Sequence, residues 1–363
     1  MHASRLTGVG AAPIGLGWSK VRYDIELLVT LRRVVMDERI EIVHAHNYEA
    51  PLLAYWVRAS TGVPVVYHAH NALADELATY VRPGWRRRLA RWMGRRLDGA
   101  IPRRADFCIA LTPELGAFLV RCGVDPSRMA VIAPHGLPAD GITRTEFVPV
   151  PGCFKVTYAG NLDPYQDLDV LGDAFARLRE AVPYAHLCLV THAADWRERL
   201  EPRFVAWIRA GVVTVHVVSS YASVWREMLA ADVLVCPRSS WSGYPIKLVN
   251  YAAAGRPIVV AAGSAKGFVD QESALVVGNR DPGAFAAALQ RLHDEPGLAP
   301  RLGAAAERLS NSLGDGAEIA SKFGAIYGKI RDDDERTRVS RAGRLLAWAG
   351  ERISAVAPIG GPR

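Results

Sequence analysis

Two groups of side chains in this 363-residue chain are of types and spacings that could do chemistry. The first centres on Lys247, within ADVLVCPRSSWSGYPIKLVNYAAAGRPIVVAAG, residues 231–263. This stretch reads as an apolar strand at 232–237, a polar, glycine-ended loop at 238–243, a helix at 244–254 and another strand at 257–261. A loop at the carboxyl end of a strand that runs into a helix aims unpaired backbone N–H groups and the positive helix end at one point. An anion is its natural guest. A lysine in the first turn works against that dipole, so Lys247 either points into solvent, the commoner fate of a single lysine, or helps hold a negative ligand. The second group is His44, His46, His68 and His70, two His-Ala-His triplets that close two apolar strands. One such histidine is ordinarily a satisfied structural residue; four, at strand ends that a parallel sheet would bring near each other, are harder to explain that way. Metal binding is the rival reading, because imidazole is a common ligand. The spacing matches neither a H-E-x-x-H helix nor a Cys/His zinc pattern, so no metal and no other cofactor is expected.

These groups need elements to position them. The amino-terminal part reads as a helix at 21–36, strand 41–45, helix 48–60, strand 63–67, a basic helix at 86–104, strand 106–111, helix 113–122 and strand 130–132. An extended, proline-rich stretch at 147–152 reads as the turn between domains. A second series follows: strand 155–159, helix 167–181, strand 185–191, helix 195–210, strand 212–218, helix 222–231, the Lys247 unit, an apolar segment at 274–277, and helices at 282–293 and 299–313. Strands that alternate with helices, each strand a continuous apolar run, imply parallel sheets covered on both faces. The expected fold is therefore α/β, two Rossmann-like doubly wound domains facing a cleft. The boundaries are 1–148, 149–325, and a helical basic tail at 326–363. Polar residues at the carboxyl ends of both sets of strands place a ligand in that cleft.

Composition narrows the class. A hydrophobic content of 50% supports large cores, and no run approaches the roughly 20 apolar residues of a membrane span. Five widely spaced cysteines, mostly in apolar runs, read as buried thiols in a reducing compartment, which makes the cytoplasm the default location. The formal net charge is +7, and residues 86–104, with eight arginines against the single acid Asp98, carry all of it. Leu89, Trp92, Met93 and Leu97 recur there at helical spacing. Such a helix is a packed element with a solvated arginine face, or a contact to an anionic membrane surface or lipid-linked substrate. Nucleic acid ranks last, since no base-stacking module accompanies the charge.

The segments IVHAHNYEA, VVYHAHN, ADFCIAL, VIAPHGL, YAGNLDPYQDLDVL and SGYPIKLVNYAAAGRPIVV occur in that order. With them the chain resembles family 4 glycosyltransferases of the two-Rossmann GT-B architecture over residues of about 20 to 315. The resemblance implies a carboxyl-terminal domain for a nucleotide-sugar donor and an amino-terminal domain for the acceptor, with transfer that retains the anomeric configuration without a metal. By position, His70 matches the family's histidine near the reacting carbon and is the catalytic residue the resemblance implies; a dipole there stabilises charge that develops as the glycosidic bond breaks. Gly160, Asn161, Gln166, Arg238, Gly243, Lys247 and Asn250 fall on the donor side, and His46, Asn47 and Glu49 on the acceptor side. Gly243 would let the backbone approach the sugar or diphosphate, and Lys247 would neutralise the departing phosphates. Four charges usual in the family are replaced, by Asn161, Gln166, Ser242 and Asn250, two positive and two negative groups together.

The expected function is transfer of a sugar from a nucleotide sugar to a lipid-linked or cell-surface glycan acceptor, by a protein in the cytoplasm and peripheral on the membrane's cytoplasmic face. The alternative is a non-catalytic GT-B subunit or pseudoenzyme that binds a nucleotide sugar or a partner. Only some 40 residues precede the strand at 41–45, the first 17 show no strand period, and Gly8-Val9-Gly10 follows no apolar run. The resembled fold has a first strand and a glycine-rich turn before this point. The chain is therefore expected to lack the start of its amino-terminal domain and to be poorly active or unstable by itself, unless residues 1–20 supply a substitute element.

Overall fold

The computed structural model describes residues 18–354 apart from 80, 82–83, 135, 137–141, 143–151 and 242. Side chains at 18–21, 79 and 336–354 are not described. The expectation about the chain's first 17 residues, most of the interdomain stretch and Ser242 thus lie outside the described residues. The strands form two fully parallel sheets. In the amino-terminal sheet β1 (Val43–His46), β2 (Val65–Ala69), β3 (Phe107–Ala110) and β4 (Met129–Val131) lie side by side in chain order. In the second sheet the order is β10-β9-β8-β5-β6-β7, with β5 (Phe154–Ala159), β6 (Ala185–Thr191), β7 (Val213–Val217), β8 (Val233–Cys236), β9 (Ile258–Ala261) and β10 (Leu275–Val277). The chain runs outward from β5 in one direction, then returns to β8 and runs out the other way. The crevice between the β5 and β8 ends is thus a topological switch point, where open α/β sheets take their ligands.

Both faces of the second sheet are covered. One core joins Val156, Tyr158, Leu187 and Leu189 to Phe175 and Leu178 of α6 (Leu168–Ala181) and to Phe285 and Leu289 of α11 (Pro282–Asp294). The opposite core joins Leu234, Cys236 and Ile258 to Trp225 of α9 (Tyr221–Leu229), Tyr251 of α10 (Ile246–Ala253) and Ala306 of α12 (Leu298–Ser312). The first sheet packs one face on α1 (Trp18–Asp37), α2 (Glu49–Thr61) and α5 (Pro113–Arg121). Its other face is covered from the far end of the chain. The long α13 (Gly316–Ser354) crosses back to lay Ile326 and Ile330 on Val66, Phe107, Ile109 and Ile132. This helix starts at Gly316, so the division at 325/326 falls inside it.

Three local readings change. The helix expected at 195–210 is two, α7 (Trp196–Arg199) and α8 (Pro202–Arg209), because Pro202 opens a new helix and bars helical backbone at Glu201. The strands expected at 41–45 and 63–67 sit one to two residues later, which brings His46 and His68, as well as His44, into the ladder itself. A seven-residue helix, α3 (Leu73–Thr79), was not legible. It is held by the basic helix α4 (Trp85–Ala100): the Asp98 carboxylate accepts from Leu73 N at 2.8 Å and Ala74 N at 3.0 Å. A Cβ on Gly94 would overlap the Ala74 backbone, so α4 docks by its Gly94–Asp98 side.

Candidate active site

The switch-point crevice collects four loops. After β5 come Gly160–Asp167, at the end of β6 Thr191 and then His192, after β7 Val218–Ser220, and after β8 Pro237–Trp241 and Gly243–Pro245, which lead towards α10. Tyr251 of α10 anchors the crevice floor: its hydroxyl accepts from Ala159 N at 2.7 Å and lies 3.1 Å from Ala159 O. A cleft of about 330 Å³ opens above, and Gly160, Lys247 and Asn250 are among its lining residues.

Lys247 points across α10's first turn onto the end of β5. Its Nζ donates to Tyr158 OH at 2.8 Å and to Gln166 Oε1 at 2.7 Å, and stands 4.0 Å from the Tyr158 ring centre. Both hydrogen-bond partners are neutral. Burial of the ammonium, with a further contribution from the Arg238 charge, lowers its pKa to about 8. A Cβ at Gly160 would sit 2.7 Å from that Nζ, so only glycine leaves the amine its place. Gln166 in turn donates from Nε2 to Asn161 Oδ1 at 2.5 Å, and Asn161 Nδ2 reaches Asp163 and Tyr165 at 2.7 Å each. The two amides that replace the family's usual cations therefore link a single buried lysine, through Gln166 and Asn161, to Asp163 and Tyr165. Arg238 lies over the Tyr165 ring, 5.4 Å from its centre. Asp167 ties the loops together, accepting from Ser239 N at 2.8 Å and from Arg280 Nη1 at 2.6 Å.

Facing this crevice are the ends of β1 and β2. Parallel pairing sets His46 opposite His68, and residues two apart share a face, so all four histidines converge. His44 Nε2 is 3.2 Å from His68 Nδ1, and His46 Nδ1 is 3.0 Å from His70 Nε2. Tyr327 of α13 reaches His44 Nδ1 at 2.5 Å. Burial is the main cause that lowers the pKa of all four, with neighbouring imidazoles adding to it in His44, His68 and His70; His44 falls to about 4 and His68 to about 3. Asn47 follows in left-handed backbone at φ 60°, and Glu49 opens α2.

The two domains meet at His70–Asn71 and Gly243. Gly243 has φ 79°, and a Cβ there would overlap Asn71 Oδ1 and lie 2.8 Å from the His70 carbonyl. The close approach that this glycine permits is thus to the amino-terminal domain itself. Phe118 packs edge-on against Trp241 with ring centres 5.6 Å apart, and Asp75 accepts a hydrogen bond from Trp241. His70 is brought within one residue of the Gly243 loop, while Glu49 and Asn250 belong to opposite domains. Thr191, His192, Ser219, Ser220 and Tyr221 of the cleft wall were missed by the sequence reading. Their one available signal was position, at the ends of β6 and β7, since their residue types are unremarkable.

Two parallel-sheet α/β domains with a cleft at their strand ends define a GT-B protein; the second is doubly wound, whereas the four described strands of the first run in simple chain order. Residues 3–135 match the model of a glycosyl transferase 4-like domain, and residues 153–295 match glycosyl transferases group 1. The chain belongs to these glycosyltransferases and is a nucleotide-sugar-dependent enzyme. A D-inositol 3-phosphate glycosyltransferase of Streptomyces scabiei is 28% identical over 317 residues, 82% of this chain and 70% of that one. Its counterpart in Thermomonospora curvata is 27% identical, over 77% of this chain and 69% of the relative. Among solved structures, sucrose-phosphate synthase from Thermosynechococcus elongatus superposes with a TM-score of 0.73 at 19% identity, covering 88% of this chain and 82% of that one. HepE of Anabaena in complex with UDP and glucose gives 0.64 at 15% identity, covering 86% and 83%.

Proposed function

We propose that this glycosyltransferase moves a sugar from a nucleoside diphosphate sugar to a lipid-linked or cell-surface glycan acceptor at an anionic membrane surface, retaining the anomeric configuration without a metal. The observation that carries the acceptor class is the outer face of α4. With its Gly94–Asp98 side docked on α3, the helix turns Trp85, Leu89, Trp92 and Met93 outward at 68, 46, 54 and 45% exposure. Arg86 and Arg96 lie over the Trp85 and Trp92 rings, at 5.5 and 5.2 Å from their centres. The sequence pattern was compatible with apolar residues packed inward. Instead they form an exposed seam flanked by arginines, the arrangement of an interfacial helix.

On the donor side, the Lys247 ammonium and the start of α10 offer positive potential for the two phosphates, and Lys247 gains a charged partner as the diphosphate leaves. His70 stands at the meeting of the two domains, where its neutral ring contributes a dipole beside the reacting carbon. That HepE has been solved with UDP and glucose supports a uridine donor. The substrate for which the relatives are named, D-inositol 3-phosphate, supports a second acceptor reading, a small phosphorylated polyol in solution. The test is transfer from labelled nucleotide sugar to two acceptors, lipid-linked glycan in anionic vesicles and free D-inositol 3-phosphate. Product in the vesicle fraction, lost when the vesicles are made zwitterionic, supports the proposal. Product from inositol phosphate alone, indifferent to vesicles, replaces it with the polyol reading.

A further inference from the structure

We propose that His44, His46 and His68 form a binding site for one borderline divalent transition-metal ion, with Zn2+ as the probe, and that the ion blocks the acceptor side of the cleft. The inference rests on the placement of the active site given above only for its inhibitory consequence. The binding itself stands on the cluster's geometry. Linear spacing argues against a metal site because it matches neither a H-E-x-x-H helix nor a Cys/His zinc pattern, the triplets lying 24 residues apart. The parallel β1–β2 register removes that objection by setting His46 beside His68. The three residues offer ligand nitrogens that all lie within 4.8 Å of one another. Two nitrogens bound tetrahedrally to one Zn2+ stand about 3.3 Å apart, given bonds of about 2.0–2.1 Å. The 3.2 Å between His44 Nε2 and His68 Nδ1 already matches that separation.

Hydrogen-bond accounting sets the tautomers. If Tyr327 donates to His44 Nδ1, then His44 Nε2–H donates to His68 Nδ1, and His68 Nε2–H is left over. If His44 Nδ1–H donates to Tyr327, then His68 Nδ1–H donates to His44 Nε2, and a bare lone pair remains on His68 Nε2. In both cases this nitrogen is buried with no hydrogen-bond partner, on a side chain only 6% exposed. Bound metal exchanges the one N–H···N link for metal–nitrogen bonds at His44 Nε2 and His68 Nδ1, which sets the proton of each ring on its other nitrogen. The Tyr327 hydroxyl then orients His44 through its other nitrogen, as oxygen partners do for metal-bound histidines. Neutral imidazoles suit zinc, copper or nickel rather than magnesium or calcium. The other compact group, Cys188, His216 and Glu227, is a poorer one. Its carboxylate is already paired with Lys155 at 2.8 Å, and burial raises the Cys188 thiol to about 11.

The full chain, freed of metal with a chelator, should bind one Zn2+ in equilibrium dialysis at neutral pH. His46→Gln and His68→Gln should each weaken that binding at least tenfold, while His216→Gln leaves it unchanged. Because His68 is buried, circular dichroism checks its variant for folding; the exposed His46 gives the deciding variant if it fails. Bound Zn2+ should also suppress transfer in wild type. Absence of stoichiometric binding, persistence of full affinity in His46→Gln, or loss of binding in His216→Gln overturns the site. Because dialysis is read without turnover, none of these outcomes depends on the donor or acceptor being correctly assigned.

Discussion

Lys247 enters the site with its ammonium held by Tyr158 OH and Gln166 Oε1, and this environment fixes its response to ligand and to pH. A diphosphate placed above the crevice gains a charge-assisted hydrogen bond from it, worth about 1.5–3 kcal/mol. Lys247→Ala is therefore expected to weaken nucleoside diphosphate roughly 10- to 150-fold by calorimetry, and the free nucleoside hardly at all. Equal losses for both ligands would place Lys247 away from the phosphates. The pH response has a definite sign. Folding lowers the pKa from 10.5 to about 8, so between those values the unfolded chain holds a proton that the folded chain has released. This group makes folding more favourable as pH rises through that window. A bound diphosphate offsets the desolvation and draws the proton back. At about pH 8.5, binding should take up a fraction of a proton, read as a dependence of the heat on the buffer's ionisation enthalpy. Uptake that survives in Lys247→Met would assign the proton to another group.

At the level of elements, α4 shows what a sequence pattern can and cannot say. Its apolar stripe and arginines were legible, but which side faces inward was not. Two residues outside the stripe decide it, since Gly94 allows backbone contact with Ala74 and Asp98 satisfies the amides of Leu73 and Ala74. The exposed seam should bind anionic vesicles reversibly, since each basic residue near such a leaflet contributes about 1 kcal/mol. Changing Arg86, Arg87, Arg88 and Arg91 to Gln should abolish co-sedimentation at low salt, and high salt should release the wild type. Unchanged co-sedimentation of the quadruple variant would remove α4 from the membrane. Elsewhere, continuous apolar runs exposed the strands, and β6 was placed at its observed limits, Ala185–Thr191. The short α3 escaped notice because seven residues carry barely two helical turns of periodicity, and its stability comes from α4 rather than from itself. The histidine quartet was visible as four residue types at strand ends. Its contacts were not, because which imidazole nitrogens meet depends on how the rings pack across β1 and β2, and residue types do not give that. The Gln166–Asn161–Lys247 network was likewise invisible, since residues 81 apart meet only through the crossover that puts β8 beside β5.

For the molecule as a whole, α13 laid across the first sheet and the loop at Gly243 pressed on His70–Asn71 are among the described features that join the domains. The second joins them where donor and acceptor meet. Any side chain at position 243 forces Asn71 and the His70 backbone away, and left-handed backbone adds about 1–2 kcal/mol of strain. Gly243→Ala should thus lower the thermal midpoint and reduce kcat, with nucleoside diphosphate affinity nearly retained, because the donor crevice lies wholly in the second domain. A variant with unaltered kcat would show that this contact does not set the reacting geometry. The central claim is that the crevice between β5 and β8 serves a working transferase despite the amides at 161, 166 and 250. The most direct measurement is nucleoside diphosphate release by the purified chain from a panel of nucleotide sugars, with anionic vesicles carrying lipid-linked acceptor. Release from at least one donor is expected, reduced at least tenfold in Lys247→Ala and in His70→Ala. Tight binding of a nucleoside diphosphate with no release from any donor would contradict it, and leave a protein that holds a nucleotide sugar without using it.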